Sequence, residues 1–116
     1  MSNKEEPIFK IGLIGEYLVN IRLNEYGVNT GSVDKDTGTD IVMFYGDRIF
    51  TAQVKTGRQG WKNAESHNVH VDFKVNLNWP NGNLSLDGTE IHWKRLDVPD
   101  DGFKNLELGS IDEMFQ

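Results

Sequence analysis

Four polar residues in the first half of the chain have types that suit phosphodiester chemistry: Glu16, Asp40, Gln53 and Lys55. Asp40 offers a carboxylate, Gln53 an amide oxygen, and Glu16 a second carboxylate. A hard cation such as Mg²⁺ or Mn²⁺ is held by a few such oxygens together with water and substrate phosphate. An ion there would polarise a phosphate and lower the pKa of bound water. The ammonium of Lys55, held beside carboxylates, would orient the attacking water or stabilise charge developing on the phosphate. A plainer alternative is a hydrogen-bonded strand end, since an Asp opposite a Gln with a Lys nearby needs no catalytic role.

Position in the chain is what brings these residues together. Two β-rich runs, 40–45 and 48–55, flank Gly46 and Asp47, a two-residue hairpin signal. If Tyr45 faces Arg48, paired positions sum to 93. Phe44 then faces Ile49, Val42 faces Thr51, and Asp40 faces Gln53. Lys55, two residues beyond Gln53, shares its face. The other face carries Ile41, Met43, Tyr45, Phe50, Ala52 and Val54, so both sides of the hairpin need cover, as central strands of a layered α/β domain do. Ahead of the hairpin, Pro7 to Tyr26 reads as a helix, with Pro7 suited to its first turn and Gly27 to its stop. Its apolar residues form two stripes, Ile14, Tyr17, Leu18, Ile21 and Phe9, Leu13, Leu23, the second containing Glu16. Most of the helix is therefore expected to be buried, on a face from which Glu16 reaches the same point.

Elsewhere the pattern is punctuated by turns. Residues 29–39 are turn-rich, with an edge strand expected near Gly31 to Asp34. Residues 56–63 read as a loop, in which Thr56, Arg58, Trp61 and Lys62 are the expected nucleic-acid contacts: cations and a hydroxyl for phosphate, Trp61 for stacking on a base. Residues 69–77 alternate as a strand with one solvated face. Turns are expected at Pro80–Gly82 and at Asp87–Gly88, a strand over 90–98, and a last helical turn over 110–115. His67 and His70 are spaced for a helix rather than a strand and are not expected to bind metal. His92 reads as a sheet residue.

At 116 residues the chain suits a single domain, 1–116, with one core. With no cysteine, disulfides and thiolate zinc sites are excluded. No stretch approaches the roughly 20 apolar residues of a membrane span, and no apolar signal region follows the first residues, so a cytoplasmic location is expected. The net charge of −6 argues against coating by nucleic acid. It conceals a basic middle, however. Residues 48–74 hold five bases and two acids, whereas 86–116 hold three bases and eight acids. One face is thus able to meet an anion.

At these residues the chain resembles the PD-(D/E)xK superfamily of restriction endonucleases and Holliday-junction resolvases. The matching pieces are the GLIGE run ending in Glu16, the GTD run ending in Asp40, and Gln53-Val-Lys55-Thr-Gly57. The resemblance spans about residues 8–57. It implies an α/β, restriction-endonuclease-like fold, a central mixed β-sheet flanked by helices with the N-terminal helix packed on the hairpin. It also implies that Glu16, Asp40 and Gln53 bind Mg²⁺ or Mn²⁺ and that Lys55 is catalytic. Two departures stand out: Gln53 removes a negative charge from the metal site, and after residue 57 the usual helix and further central strand are not evident. The expected activity is metal-dependent endonucleolytic cleavage of DNA, branched or damaged, by a homodimer. The alternatives are a non-catalytic module of the same fold that binds nucleic acid or protein, and a small acidic interaction protein.

Overall fold

In the computed structural model, residues 6–33, 39–58, 69–98 and 102–116 are described. Helix α1 runs over Glu6–Glu25 and ends where glycine is needed, with Gly27 at φ +88. The Gly27 N–H donates to the Asn24 carbonyl at 3.1 Å and the Val28 N–H to the Leu23 carbonyl at 2.9 Å. This paired closure satisfies the last carbonyls of a helix, and the apolar contact that accompanies it is here made by two fully buried side chains, Leu23 and Val28. The cap feeds the chain directly into strand β1, Asn29–Ser32.

Strands β2, Ile41–Tyr45, and β3, Arg48–Arg58, form the expected hairpin about Gly46, at φ +61. Tyr45 pairs with Arg48, Phe44 with Ile49 and Val42 with Thr51, the register that the turn implies. β3 does not stop at Lys55. Thr56, Gly57 and Arg58 continue it, because strand β4, Val71–Asn78, lies parallel beside it and pairs Thr56 with Val75, Gly57 with Asn76 and Arg58 with Leu77. A parallel pair requires a crossover of about a dozen residues, and β3 and β4 are separated by residues 59–70. The run read as a solvated strand is therefore a central one.

A short 3-10 turn, Pro80–Gly82, leads into β5, Ser85–Arg95, antiparallel to β4. The turn expected at Asp87–Gly88 is instead an irregularity within β5, at Gly88 with φ +79, opposite a register shift between Asn76 and Asn78. A Cβ there would lie 2.9 Å from Asn78 Nδ2, so a positive φ and a close approach both call for glycine. Strand β6, Lys104–Asn105, and helix α2, Ser110–Met114, complete a six-stranded mixed sheet, in the order β1 to β6, with two helices among the described residues. No described helix is long and apolar enough to cross a membrane.

The core lies on one face of the sheet. Ile41, Met43, Ala52, Val54, Phe73, Val75 and Trp93 are buried there with Ile11, Val19 and Leu23 of α1. At the hairpin end the same face is closed by α2, which is too short to be stable alone. It is held by Phe115, stacked on Tyr45 and in contact with Phe50 at centroid distances of 5.0 Å. Tyr45 donates to Asp112 at 3.2 Å, and Arg95 donates to the Met114 and Gln116 carbonyls. The expectation that most of α1 is buried is corrected: Leu13, Tyr17 and Ile21 are exposed, because only one side of the helix meets the sheet. Phe44 and Ile49, 41% and 61% exposed on the other face, show that the hairpin is covered on one side among the described residues.

Candidate functional site

The site begins where β2 leaves β3. In a regular ladder of this register the Val54 N–H would donate to the Thr39 carbonyl. Instead it donates to Asp40 Oδ2 at 2.8 Å, while the Asp40 N–H donates to the Ala52 carbonyl at 2.9 Å. The carboxylate has taken the place of a backbone acceptor, so the ladder ends at the Ile41–Ala52 pair. Asp40 therefore does serve as the strand-end residue of the plainer reading. Its Oδ2 is committed to β3, and Oδ1 is the atom with which it could meet an ion.

Gln53 and Lys55 project from the face of β3 opposite the core, both half-buried. The parallel partner strand sets Asp72 beside Gln53 and Lys74 beside Lys55. Asp72 is 4% exposed, a buried carboxylate one strand away from the amide. Burial of a carboxylate is costly unless it is compensated, which marks Asp72 as part of the polar cluster. No local signal singles it out, since in the alternation of β4 it is one polar residue among several. Only the parallel pairing puts it next to Gln53. Asp40 and Asp72 flank Gln53 from opposite sides, two strand spacings or about 10 Å apart in backbone terms.

Glu16 lies on the other side of the sheet. Gly15 is seated directly on β3: a Cβ built on it would fall 1.7 Å from Thr56 Oγ1. Thr56 alternates with Lys55 and shares the core face with Ala52 and Val54, so α1 covers that face and not the one bearing Gln53 and Lys55. This corrects the expectation that the helix packs on the side of the amide and the amine. Glu16, half-buried, follows Gly15 on α1 and so stays with the helix on the core side of the sheet. Thr56 is two residues beyond Val54, whose N–H holds Asp40.

Thr56 itself is not an exposed phosphate contact. Its hydroxyl is buried against the helix with no hydrogen bond among the described residues. Arg58 is the last residue of β3. Trp61 and Lys62, the other expected nucleic-acid contacts, lie outside the described residues, as does His67. His70 is engaged locally, its Nδ1 3.0 Å from both the amide nitrogen and the hydroxyl of Thr51 and its ring stacked on Phe50.

The chain matches no family model, no curated protein and no solved structure. The site has to be judged on its own chemistry. Among the described residues, no three of His, Cys, Asp and Glu gather as ligands for an ion. What the β2–β3 opening offers is one carboxylate oxygen and one amide oxygen. Both are hard donors, suited in kind to Mg²⁺ or Mn²⁺, which rely on water and substrate for much of their coordination.

Proposed function

We propose that this chain is a Mg²⁺- or Mn²⁺-dependent phosphodiesterase of restriction-endonuclease-like fold acting on DNA. The observation that carries the reading is the interruption of the β2–β3 ladder at Asp40. It sets a carboxylate at the edge of β3 beside an amide and an amine two residues apart on one face. The mixed sheet, with a central strand parallel to β3 and the N-terminal helix seated on β3, supports the fold.

In this reading Asp40 Oδ1 and Gln53 Oε1 would hold the ion, with water and substrate phosphate completing its shell, while Glu16 lies across the sheet from Gln53 and is left out of the ligand set. When bound, the ion would supply Lewis-acid polarisation of the phosphate and a more acidic water. Lys55 supplies a positive charge where the phosphate gains negative charge, from a strand paired with β4 and covered on its other face by α1. A domain of this size acts best as a homodimer, because cutting two strands needs two sites.

The test is a thermal melt during titration with Mg²⁺ or Mn²⁺, paired with cleavage of supercoiled and branched DNA. The ion is expected to raise the melting temperature of the wild type but not of Asp40→Asn, and Lys55→Ala to abolish cleavage without abolishing the metal response. An Asp40→Asn protein that is stabilised by the ion as much as wild type would sink the assignment. A second reading, a non-catalytic module of the same fold, is favoured by the engagement of Asp40 Oδ2 with Val54 and the lack of a three-ligand group among the described residues. It predicts metal-independent binding of a partner and no cleavage.

A further inference from the structure

The β4–β5 ladder is broken at one place, and a cleft opens there. Regular pairing ends at Asn76 with Glu90 and resumes at Asn78 with Ser85, so residue 77 stands opposite residues 86–89. The surplus chain has to leave the line of the sheet, and Gly88, at φ +79, takes the conformation that this needs. The result is a cleft of about 440 Å³ walled by Asn76, Asn78, Trp79, Pro80, Gly88 and Glu90. Sites for small molecules run from about 300 to 1,000 Å³, so the cleft is large enough for one. Its irregular wall is held in shape. Asn78 Nδ2 donates to the Asp87 carbonyl at 2.6 Å, the Asn78 N–H to Thr89 Oγ1 at 3.1 Å, and Thr89 Oγ1 to the Ser85 carbonyl at 2.8 Å. Trp79 is half-buried against the core. Asn76 and Glu90 come two residues beyond the Lys74–His92 pair, so they stand on the face of Lys55, about 6.6 Å farther along the strands.

Among the described residues the lining holds one carboxylate and no cation, so the cleft repels a phosphate and suits a neutral ligand that donates hydrogen bonds. An aromatic ring beside two amides and a carboxylate is a set that reads a nucleobase. The ring stacks on the face of the base, and the amides and carboxylate meet its edge, the carboxylate accepting from an exocyclic amine. Resting on the phosphodiesterase reading, we propose that this cleft receives one unpaired base of the DNA, in the nucleotide whose phosphate lies at Lys55. The step from the Lys55 row to the cleft is of the order of the distance from phosphate to base within a nucleotide. A base inside a duplex keeps its edge and face covered, so only an unpaired or extruded one can enter. Glu90 decides which base is preferred: its Oε2 lies 3.5 Å from His92 Nε2, and Oε1 is left to accept from an amine. Cytosine offers such an amine, and thymine does not.

The test measures, in EDTA where cleavage is silenced, the affinity for three short labelled duplexes: one with an unpaired cytosine, one with an unpaired thymine, and one fully paired. Wild type is expected to bind the cytosine duplex about tenfold more tightly than the paired one, the scale of one base stacked on an aromatic ring, and more tightly than the thymine duplex. Glu90→Gln is expected to level cytosine with thymine, because an amide both donates and accepts. Trp79→Leu is expected to bring both unpaired duplexes down to the paired one. Melts check that each variant folds, and if Trp79→Leu does not, the exposed Glu90→Gln decides alone. Equal binding of the three duplexes, binding of none, or an unchanged ratio of cytosine to thymine in Glu90→Gln would overturn the proposal. So would displacement of the cytosine duplex by a neutral oligosaccharide, which would point to a sugar site. Preference for the unpaired cytosine with no cleavage in Mg²⁺ or Mn²⁺ would leave the cleft standing and remove the phosphodiesterase reading. Cleavage that ignores the unpaired base would do the reverse.

Discussion

The two faces of the sheet use the same strands for opposite ends. On one, Ile41, Met43, Ala52, Val54, Phe73 and Trp93 are buried under α1 and α2. On the other, the very next residues, Gln53, Lys55, Lys74, His92 and Lys94, remain half-buried, and Asp72 is the buried acid among the described residues. The contrast teaches that stability and chemistry are separated by a single residue step along each strand. Substitutions on the first face are expected to be felt as stability, and those on the second as function.

The sharpest way to break this contrast is a pair of neighbours in β4. Phe73→Ala is expected to cost about 3–5 kcal/mol, and Lys74→Gln distinctly less, since it removes no core volume, as read by urea denaturation. Comparable losses would mean that the second face is also core. Next in size is Gly15→Ala, which would gain up to about 1 kcal/mol from helix propensity alone. Because its Cβ would meet Thr56 Oγ1 at 1.7 Å, a net loss of about 1–3 kcal/mol is expected, partly recovered by Thr56→Gly. A rise in melting temperature would show that α1 is not seated on β3 at this point.

Asp40 sits between the two faces, and its two variants separate its two roles. Asp40→Ala leaves the Val54 N–H without its acceptor and is expected to cost about 1–3 kcal/mol. Asp40→Asn keeps an acceptor oxygen and is expected to melt near wild type while losing its response to Mg²⁺. Equal destabilisation by both would show that the charge itself holds the strand end. The smallest effect lies at the α2 clasp. The hydrogen bond to Asp112 raises the Tyr45 pKa above its usual 10.0, so the folded state holds that proton more tightly than the unfolded one. The resulting stabilisation is intact below about pH 10 and fades as pH rises through the folded value. Melts from neutral to alkaline pH are expected to fall less steeply for Tyr45→Phe.

Much of the hairpin was legible because its signals are local. Gly46 at the turn pins the pairing of Tyr45 with Arg48, and the pairs as far as Ile41 with Ala52 follow from it; the expected pairing of Asp40 with Gln53 does not form, because the Asp40 carboxylate takes the Val54 N–H instead. The helix stop at Gly27 and the strand over 69–77 are equally local. Other features were read wrongly because they answer to distant partners. Thr56 to Arg58 looked like a loop on account of Gly57, yet they are strand because β4 pairs with them. Asp87 and Gly88 looked like a turn and proved to be an irregularity facing Asn78. The stripe of Tyr17 and Ile21 looked like core but lies on the exposed side of α1.

The residues alone were enough to set the hairpin register from Tyr45–Arg48 to Ile41–Ala52, because a two-residue turn and a period of two constrain it. Only the tertiary structure decided that α1 lies on the opposite face, where Gly15 lets it sit against Thr56, and that Asp72 and Lys74 stand beside Gln53 and Lys55. The physical reason is range: a turn acts on the residues that flank it, whereas helix docking and parallel pairing are chosen by how whole elements bury one another.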